Sequence, residues 1–402
     1  MYNRFLTGIS PKISAWEGVI FLKKTNTNGY LQQLQKRYRG SSSSEQKDIL
    51  TEFVKTTGYE RQHAGKLLRG NYQYVTKPIK RPRKRRYDML DAIVLTKICT
   101  LLDWINSKRI RPQIGIAIDN LVEAGELRCN AKQREKLVKI SPATIDRLLK
   151  KYKKRPVGKG HSYTKPGTLL KTQIPVRTFA DWKENKVGFF EIDLCGHDGG
   201  LAKGDFSWTL NFVDVKVQWT EQIAVFNKAQ IHVFAGIKTI RGRLPFPLLG
   251  YDSDSGSEFI NYHLYAYSIQ EKITFTRGRS GKKNDNAYVE QKNDSIVRRW
   301  VGYGRYNTQE QVDILNQLYA VLRLYTNFFL PVMKLKEKER IRSKVIKRYD
   351  KPKTPYQRIL EAEDVSKEVK DRLRNQYKTL HLVVLKRQID AILKRLKPTE
   401  VR

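Results

Sequence analysis

Three carboxylates in this 402-residue chain have the company and spacing for chemistry on phosphates. They are Asp193 in GFFEIDLCG, Asp254 in GYDSDSGSEF and Glu290 in NDNAYVEQKN. Asp193 lies inside an apolar, strand-like run, where a carboxylate is costly unless it is solvated, paired or bound to metal. Asp254 ends a second such run, and Glu290 follows 36 positions later on a helical stretch behind a basic loop. Oxygen-only ligands of this kind suit hard Mg2+ or Mn2+ ions, which hold and activate phosphates. Asp252 is an additional acid just before Asp254. A competing use of the segment is capping, with Asp254 or Ser257 opening a helix at Glu258.

The bulk charge makes a nucleic-acid backbone the expected phosphate, with general solubility charge or a ribosome-associated protein as the plainer alternatives. Lysine and arginine number 78 against 40 acidic residues, a formal net charge of +38. Such an excess serves counterion release and long-range steering of nucleic acid. Apolar residues make up 40% of the chain and aromatics 10%, which argues for folded material. Cys99, Cys129 and Cys195 are scattered without CxxC spacing, so neither a disulfide framework nor a cysteine zinc site is expected. No apolar run approaches the ~20 residues of a membrane span, and the N-terminus has no signal-peptide cleavage pattern. The expectation is a soluble, cytoplasmic protein with no membrane partner.

Around the carboxylates the composition changes along the chain. Residues 1–44 form a poorly defined leader that ends in a flexible serine run at 41–44. Residues 45–76 place Ile49, Leu50, Phe53 and Val54 at helical spacing. A Thr-Gly-Tyr turn follows, then Ala64, Leu67 and Leu68. That is the outline of a helix-turn-helix, with Arg61, Lys66 and Arg69 as DNA contacts; an ordinary helical hairpin is the plainer alternative. Residues 77–86, KPIKRPRKRR, read as an extended basic linker in which Arg83, Lys84 and Arg85 lie along DNA. A second helical DNA-binding module is expected over 87–155. Its last helix is capped by Ser141-Pro142 and carries Arg147 and Lys150 on a basic face. A Pro- and Gly-containing linker covers 156–185.

Residues 186–305 then read as strand, strand, strand, helix, strand, helix, strand, helix, an α/β pattern with a mixed sheet. Glu290 is expected on the last helix, 286–300, with Arg277, Arg279, Lys282 and Lys283 in the loop before it and Arg298 farther along. These cations beside an acidic site are expected to contact phosphates of the scissile strand. The rest, 306–402, reads as a helical C-terminal region.

A strand-end aspartate, then D-S-G-S-E-F, then N-D-N-A-Y-V-E with 35 residues between the last two acids resembles the D,D(35)E signature of bacterial insertion-sequence transposases. These have a retroviral-integrase-like catalytic core. The resemblance covers about 185–305 and extends less specifically to the helical modules upstream. It implies a ribonuclease-H-like core, a mixed five-stranded sheet with flanking helices, and all-α regions on either side. It implies that Asp193, Asp254 and Glu290 are catalytic and hold two Mg2+ (or Mn2+) ions, that Gly256 permits the turn after the second acid, and that Asn286-Ala287 leads into the glutamate helix. Asn293, on the face of Glu290, is expected to support substrate placement. The implied activity is nicking and joining of DNA at the terminal inverted repeats of a mobile element. The enzyme would be an oligomer on double-stranded DNA, nucleoid-associated in a bacterial cytoplasm. Departures from retroviral integrases include the lack of an N-terminal His/Cys zinc module. A metal-dependent nuclease on the same fold, or a non-catalytic regulator descended from a transposase, are the alternatives.

Overall fold

The computed structural model describes residues 24–70, 86–152, 174–175, 186–279 and 286–400. Arg83, Lys84, Arg85, Lys282, Lys283 and nearly all of the 156–185 linker lie outside the described residues. The chain divides into two compact units, Met1–Lys84 and Arg85–Arg402.

The first unit holds α1 (Lys24–Gly40), α2 (Ser43–Thr57) and α3 (Arg61–Arg69). Leu31, Leu34, Tyr38, Ile49, Phe53, Ala64, Leu67 and Leu68 form its core. The sequence leaves 1–44 as an undefined leader, whereas the structure gives it a helix. The serine run is not a flexible break either: Ser42 caps α2, and its amide donates to Glu45 Oε2 at 2.8 Å in a capping box. The Thr-Gly-Tyr turn falls where the sequence places it. Gly58, at φ 70°, takes the left-handed conformation that ends α2 at little cost.

The second unit begins with α4 (Met89–Leu101), α5 (Ser107–Ile110), α6 (Ile114–Glu123), α7 (Ala131–Val138) and α8 (Pro142–Leu149). The sheet follows as β1 (Phe189–Gly196), β2 (Trp208–Asp214) and β3 (Thr220–Val225). Then come α9 (Gln230–Arg243), β4 (Gly250–Ser253), α10 (Tyr262–Gln270) and β5 (Thr274–Arg277). The glutamate helix α11 (Ala287–Lys292) runs through a π-helical turn at Asn293–Arg298 into α12 (Arg299–Val301). After α13 (Gln309–Phe329) come strands β6 (Leu335–Ile341) and β7 (Lys344–Tyr349), then α14 (Pro355–Glu361), α15 (Lys367–Thr379) and α16 (Leu382–Arg395). The C-terminal region is thus not all helical: Arg342 and Ser343 turn a two-stranded hairpin.

The sheet order is β3-β2-β1-β4-β5, with β1, β2 and β3 antiparallel and β1, β4 and β5 parallel. A mixed five-stranded sheet with flanking helices resembles a ribonuclease-H-like core. One hydrophobic core joins the upstream helices, this sheet and the C-terminal helices. Tyr325 of α13 donates its hydroxyl to Leu101 O of α4 at 2.7 Å.

Helix α13 also closes the sheet's outer edge. An edge strand exposes unpaired amide and carbonyl groups that invite wrong partners. Here Asn316 Oδ1 accepts from Ala224 N at 2.8 Å and its Nδ2 donates to Ala224 O at 3.1 Å. Asn327 repeats the arrangement at Thr220, at 2.9 and 2.8 Å. Side-chain amides thereby stand in for a sixth strand.

Candidate active site

Side chains alternate along a strand, so β1 sends Phe190 and Ile192 to one face and Glu191 and Asp193 to the other. The first pair enters the core, where Phe190 packs 5.6 Å from Phe212 between ring centroids. The second pair lies beneath the glutamate helix. Glu191 is fully buried, and its Oε2 accepts from the amides of Tyr288 and Val289 at 2.7 and 2.8 Å. Asp193 Oδ2 accepts from Asn293 Nδ2 at 2.6 Å, and its Oδ1 from Leu194 N at 2.8 Å. Both ends of the Glu290-bearing segment are therefore held to one strand.

Strand β4 brings the next acids. Its parallel register pairs Glu191 with Asp252 and Ile192 with Ser253, which carries Asp254 alongside Asp193. This separates the two adjacent aspartates. Asp252 is fully buried and accepts from Thr276 Oγ1 at 2.5 Å, inside the sheet. Asp254 is half-buried just beyond the strand, where Gly256 N donates to its Oδ1 at 3.0 Å. A side chain on Gly256 would sit 2.7 Å from Glu258 Cδ and 2.9 Å from Asp254 Oδ1. Glycine is needed here for close approach. Helix α10 starts later than the sequence suggests: its cap is Asn261, whose Oδ1 accepts from Leu264 N at 2.9 Å. Neither Asp254 nor Ser257 caps it, and Glu258 is a buried turn residue whose Oε2 has no hydrogen-bond partner.

The electrostatics reflect this crowding. Burial, and then the Asp254 carboxylate, raise Asp193 above the usual aspartate range, against the pull of the Leu194 amide and Asn293. Burial and the Glu258 carboxylate raise Asp254, with Gly256 N–H and Lys228 opposing. Burial pushes Glu191 up to about 8 despite its two amide donors, with Asp252 and Glu290 adding to the effect. Glu290 is exposed on α11 and acts on Asp193 at the margin of the site. Among the described residues no group of three His, Cys, Asp or Glu side chains is arranged to hold a metal ion. The structure thus brings Asp193 and Asp254 together and leaves the Glu290 side chain outside a closed cage.

Behind Asp193 runs a relay of amides. Asn293 Oδ1 accepts from Asn211 Nδ2 at 3.0 Å, and Asn211 Oδ1 from Gln222 Nε2 at 2.9 Å. Asn211 is the β2 residue paired with Asp193, so the relay spans β1, β2 and β3. The sequence reading missed Glu191, Asn211 and Glu258. Glu191 had a signal, since it shares a strand face with Asp193. Asn211 had none before the register was known. Cys195 and His197 offer no alternative nucleophile: burial pushes the thiol up to about 12 and the imidazole down to about 3.

The expected DNA contacts separate into kinds. Arg61, Lys66 and Arg69 are exposed on α3, and Arg147 and Lys150 at the end of α8. Arg279 is exposed at the start of the basic loop, which is tied to the acid turn where Ser255 Oγ donates to Gly278 O at 3.0 Å. Arg277 is half-buried and donates from Nε to Ile174 O at 3.2 Å. Arg298 serves the fold instead of an open surface: Nη2 donates to Gly196 O at 2.7 Å and the guanidinium lies 4.9 Å from the Tyr303 ring centroid.

No family model matches the chain. Among solved structures, the catalytic core domain of BIV integrase aligns at 17% identity and TM-score 0.30, over 44% of this chain and 95% of that one. The uncharacterized protein y4rM of Sinorhizobium fredii is 38% identical over 324 residues, 80% of this chain and 91% of that protein. With identity and coverage of that extent, the chain belongs to the same family as y4rM.

Proposed function

We infer that the chain is a DNA transposase. It would bind the terminal inverted repeats of a mobile element, nick the strand there and join the freed 3′-OH to target DNA. The observation that carries this reading is the parallel β1–β4 register, which sets Asp193, within β1, beside Asp254, just beyond the end of β4, with the Glu290 segment held across them. The interval of 35 residues between Asp254 and Glu290 agrees with it.

The donor set fits Mg2+ or Mn2+: it is all oxygen, its members repel one another, and Glu258 Oε2 is left without a partner. Asp193, Asp254 and Glu290 would hold the ions. When bound, a pair of such ions activates an attacking oxygen and stabilises a leaving one in an in-line displacement at phosphorus. The chain's own residues do the positioning. Asn293 fixes the orientation of Asp193, Asn211 fixes Asn293, and Glu191 anchors the start of α11. The exposed cations of α3 and α8 and Arg279 supply phosphate contacts.

The test uses labelled duplex carrying the element ends, with Mg2+ and a second DNA as target. Nicking and joining should both occur. Asp193→Asn, Asp254→Asn and Glu290→Gln should each abolish both while leaving end binding intact. Full activity in any of the three overturns the assignment of that residue. Hydrolysis with no joining would place the chain with nucleases, and binding with neither reaction would make it a regulator.

A further inference from the structure

Among the described residues of the second unit, the hairpin β6–β7 holds the longest exposed stretch. Every residue from 336 to 349 faces solvent. An isolated two-stranded hairpin is marginal in water, and this one has no core of its own. Its base is nonetheless firmly held. Lys334 N donates to Asp350 Oδ1 at 2.7 Å, Asp350 pairs with Arg358 at 2.7 Å, and Val332 and Lys353 exchange backbone hydrogen bonds at 2.8 and 3.1 Å. A fixed root carries an arm about 20 Å long, at ~3.3 Å per strand residue.

The two faces of the arm differ. Register places Ile341/Lys344, Glu339/Ile346 and Glu337/Arg348 on one face, where Arg348 pairs with Glu337 at 3.4 Å. The other face has Lys338 directly opposite Lys347 and Arg340 opposite Val345, with no acid in either pair. Like charges directly across a ladder destabilise it. At the tip, Arg342 occupies the left-handed region at φ 55°, where glycine or asparagine is the less strained choice. An acid-free basic face on a rooted arm, unfavourable for the free hairpin, is complementary to a polyanion. A B-DNA major groove, about 12 Å wide, admits a two-stranded ribbon.

We propose that the β6–β7 hairpin is a duplex-DNA-binding arm that lays its Lys338, Arg340 and Lys347 face against the phosphate backbone. It extends the transposase reading only in adding a DNA surface that none of the expected contacts included; binding itself does not rest on that reading.

The experiment measures full-length protein against a random-sequence 30-bp duplex by fluorescence anisotropy across a salt titration, without divalent metal. The variant Lys338→Gln/Arg340→Gln/Lys347→Gln should bind at least about tenfold more weakly. Its log affinity against log salt should flatten by roughly 2–3, since each phosphate contact contributes about 0.9 to that slope. The charge-preserving Lys338→Arg/Arg340→Lys/Lys347→Arg should retain both. Because these side chains are exposed, the melting temperature should not move. Unchanged affinity and slope overturn the proposal, as does failure of the parent protein to bind duplex. Unchanged DNA affinity with altered mass by light scattering also overturns it, in favour of edge pairing between copies. If Asp193→Asn retained nicking, the catalytic assignment would fall while this binding result stood.

Discussion

The two sheets of the second unit handle their edges and charges in opposite ways. In the five-stranded sheet the outer edge is closed by Asn316 and Asn327, and the charges inside are few and mostly acidic. In the hairpin both edges and both faces are open, and one face carries cations and no acid. A buried charge must be hydrogen-bonded or neutralised, because the interior offers no water to do it. An exposed one is solvated and costs little. The first sheet therefore invests its carboxylates with fixed geometry, which suits positioning. The second keeps its cations loose, which suits a partner of uniform charge and varied sequence.

That contrast can be broken at several points. The largest effect is expected at the acids themselves. Asp193→Asn or Asp254→Asn should lower nicking and strand transfer about a thousandfold or more, as for groups acting directly in the reaction. A strand-transfer rate within tenfold of the parent would remove them from the site.

Asn293 comes next, as a positioning residue. Asn293→Ala should slow both steps roughly 10- to 100-fold, the range typical when the partner of a metal ligand is lost. The midpoint of the Mg2+ dependence should also rise, a shift that mere loosening of the helix would not produce. An unchanged midpoint would mean that Asn293 only packs.

Asn327→Ala tests the closed edge. It leaves the amide and carbonyl of Thr220 unpaired in a buried setting. A loss of about 1–3 kcal/mol per unsatisfied group is expected, read by chemical denaturation. The hairpin variants, with no such burial, should shift the same measurement by less than ~0.5 kcal/mol.

His197 gives a smaller effect than Asn327 and a sign that can be checked. Burial holds its folded pKa down at about 3, while Nε2 shares a hydrogen bond with Thr209 Oγ1 at 2.8 Å. Between the unfolded value near 6.5 and that lowered value the unfolded chain binds the extra proton. Stability must then rise with pH across that window and fall as acid is added. From pH 6.5 to 5 the loss is at most about 2 kcal/mol. His197→Gln should flatten that part of the stability–pH curve; an unaltered slope would mean that the imidazole is solvated.

How much of this was legible beforehand differs by element. Short apolar runs rich in aromatic and β-branched residues and bounded by turn residues predict β1, β2 and β3 within a few positions, because such side chains pack well on a buried pleated surface. Prolines and caps at Ser141 and Thr354 predict helix starts, because a cap is a local hydrogen bond. The hairpin was missed because its alternation is of charge with charge, and no buried face imprints an apolar period on it. The start of α10 was displaced because Ser257 and Asn261 are both competent caps, and packing chose Asn261.

The carboxylates divide along the same line. Residue type and interval point, through the resemblance to the D,D(35)E signature, to Asp193, Asp254 and Glu290 in a strongly basic chain. The family pattern selects Asp254 over Asp252 from the sequence; what only the fold decides is the parallel register that carries Asp254 alongside Asp193 and pairs Asp252 with Glu191. Only the docking of α11 decides that Glu191 and Asn293 hold that site in place. A local hydrogen bond or an alternating period is a property of neighbouring residues and can be read in order. Register and helix docking bring together residues about a hundred positions apart, from Glu191 to Val289 and from Asp193 to Asn293, and are fixed only when the whole core closes.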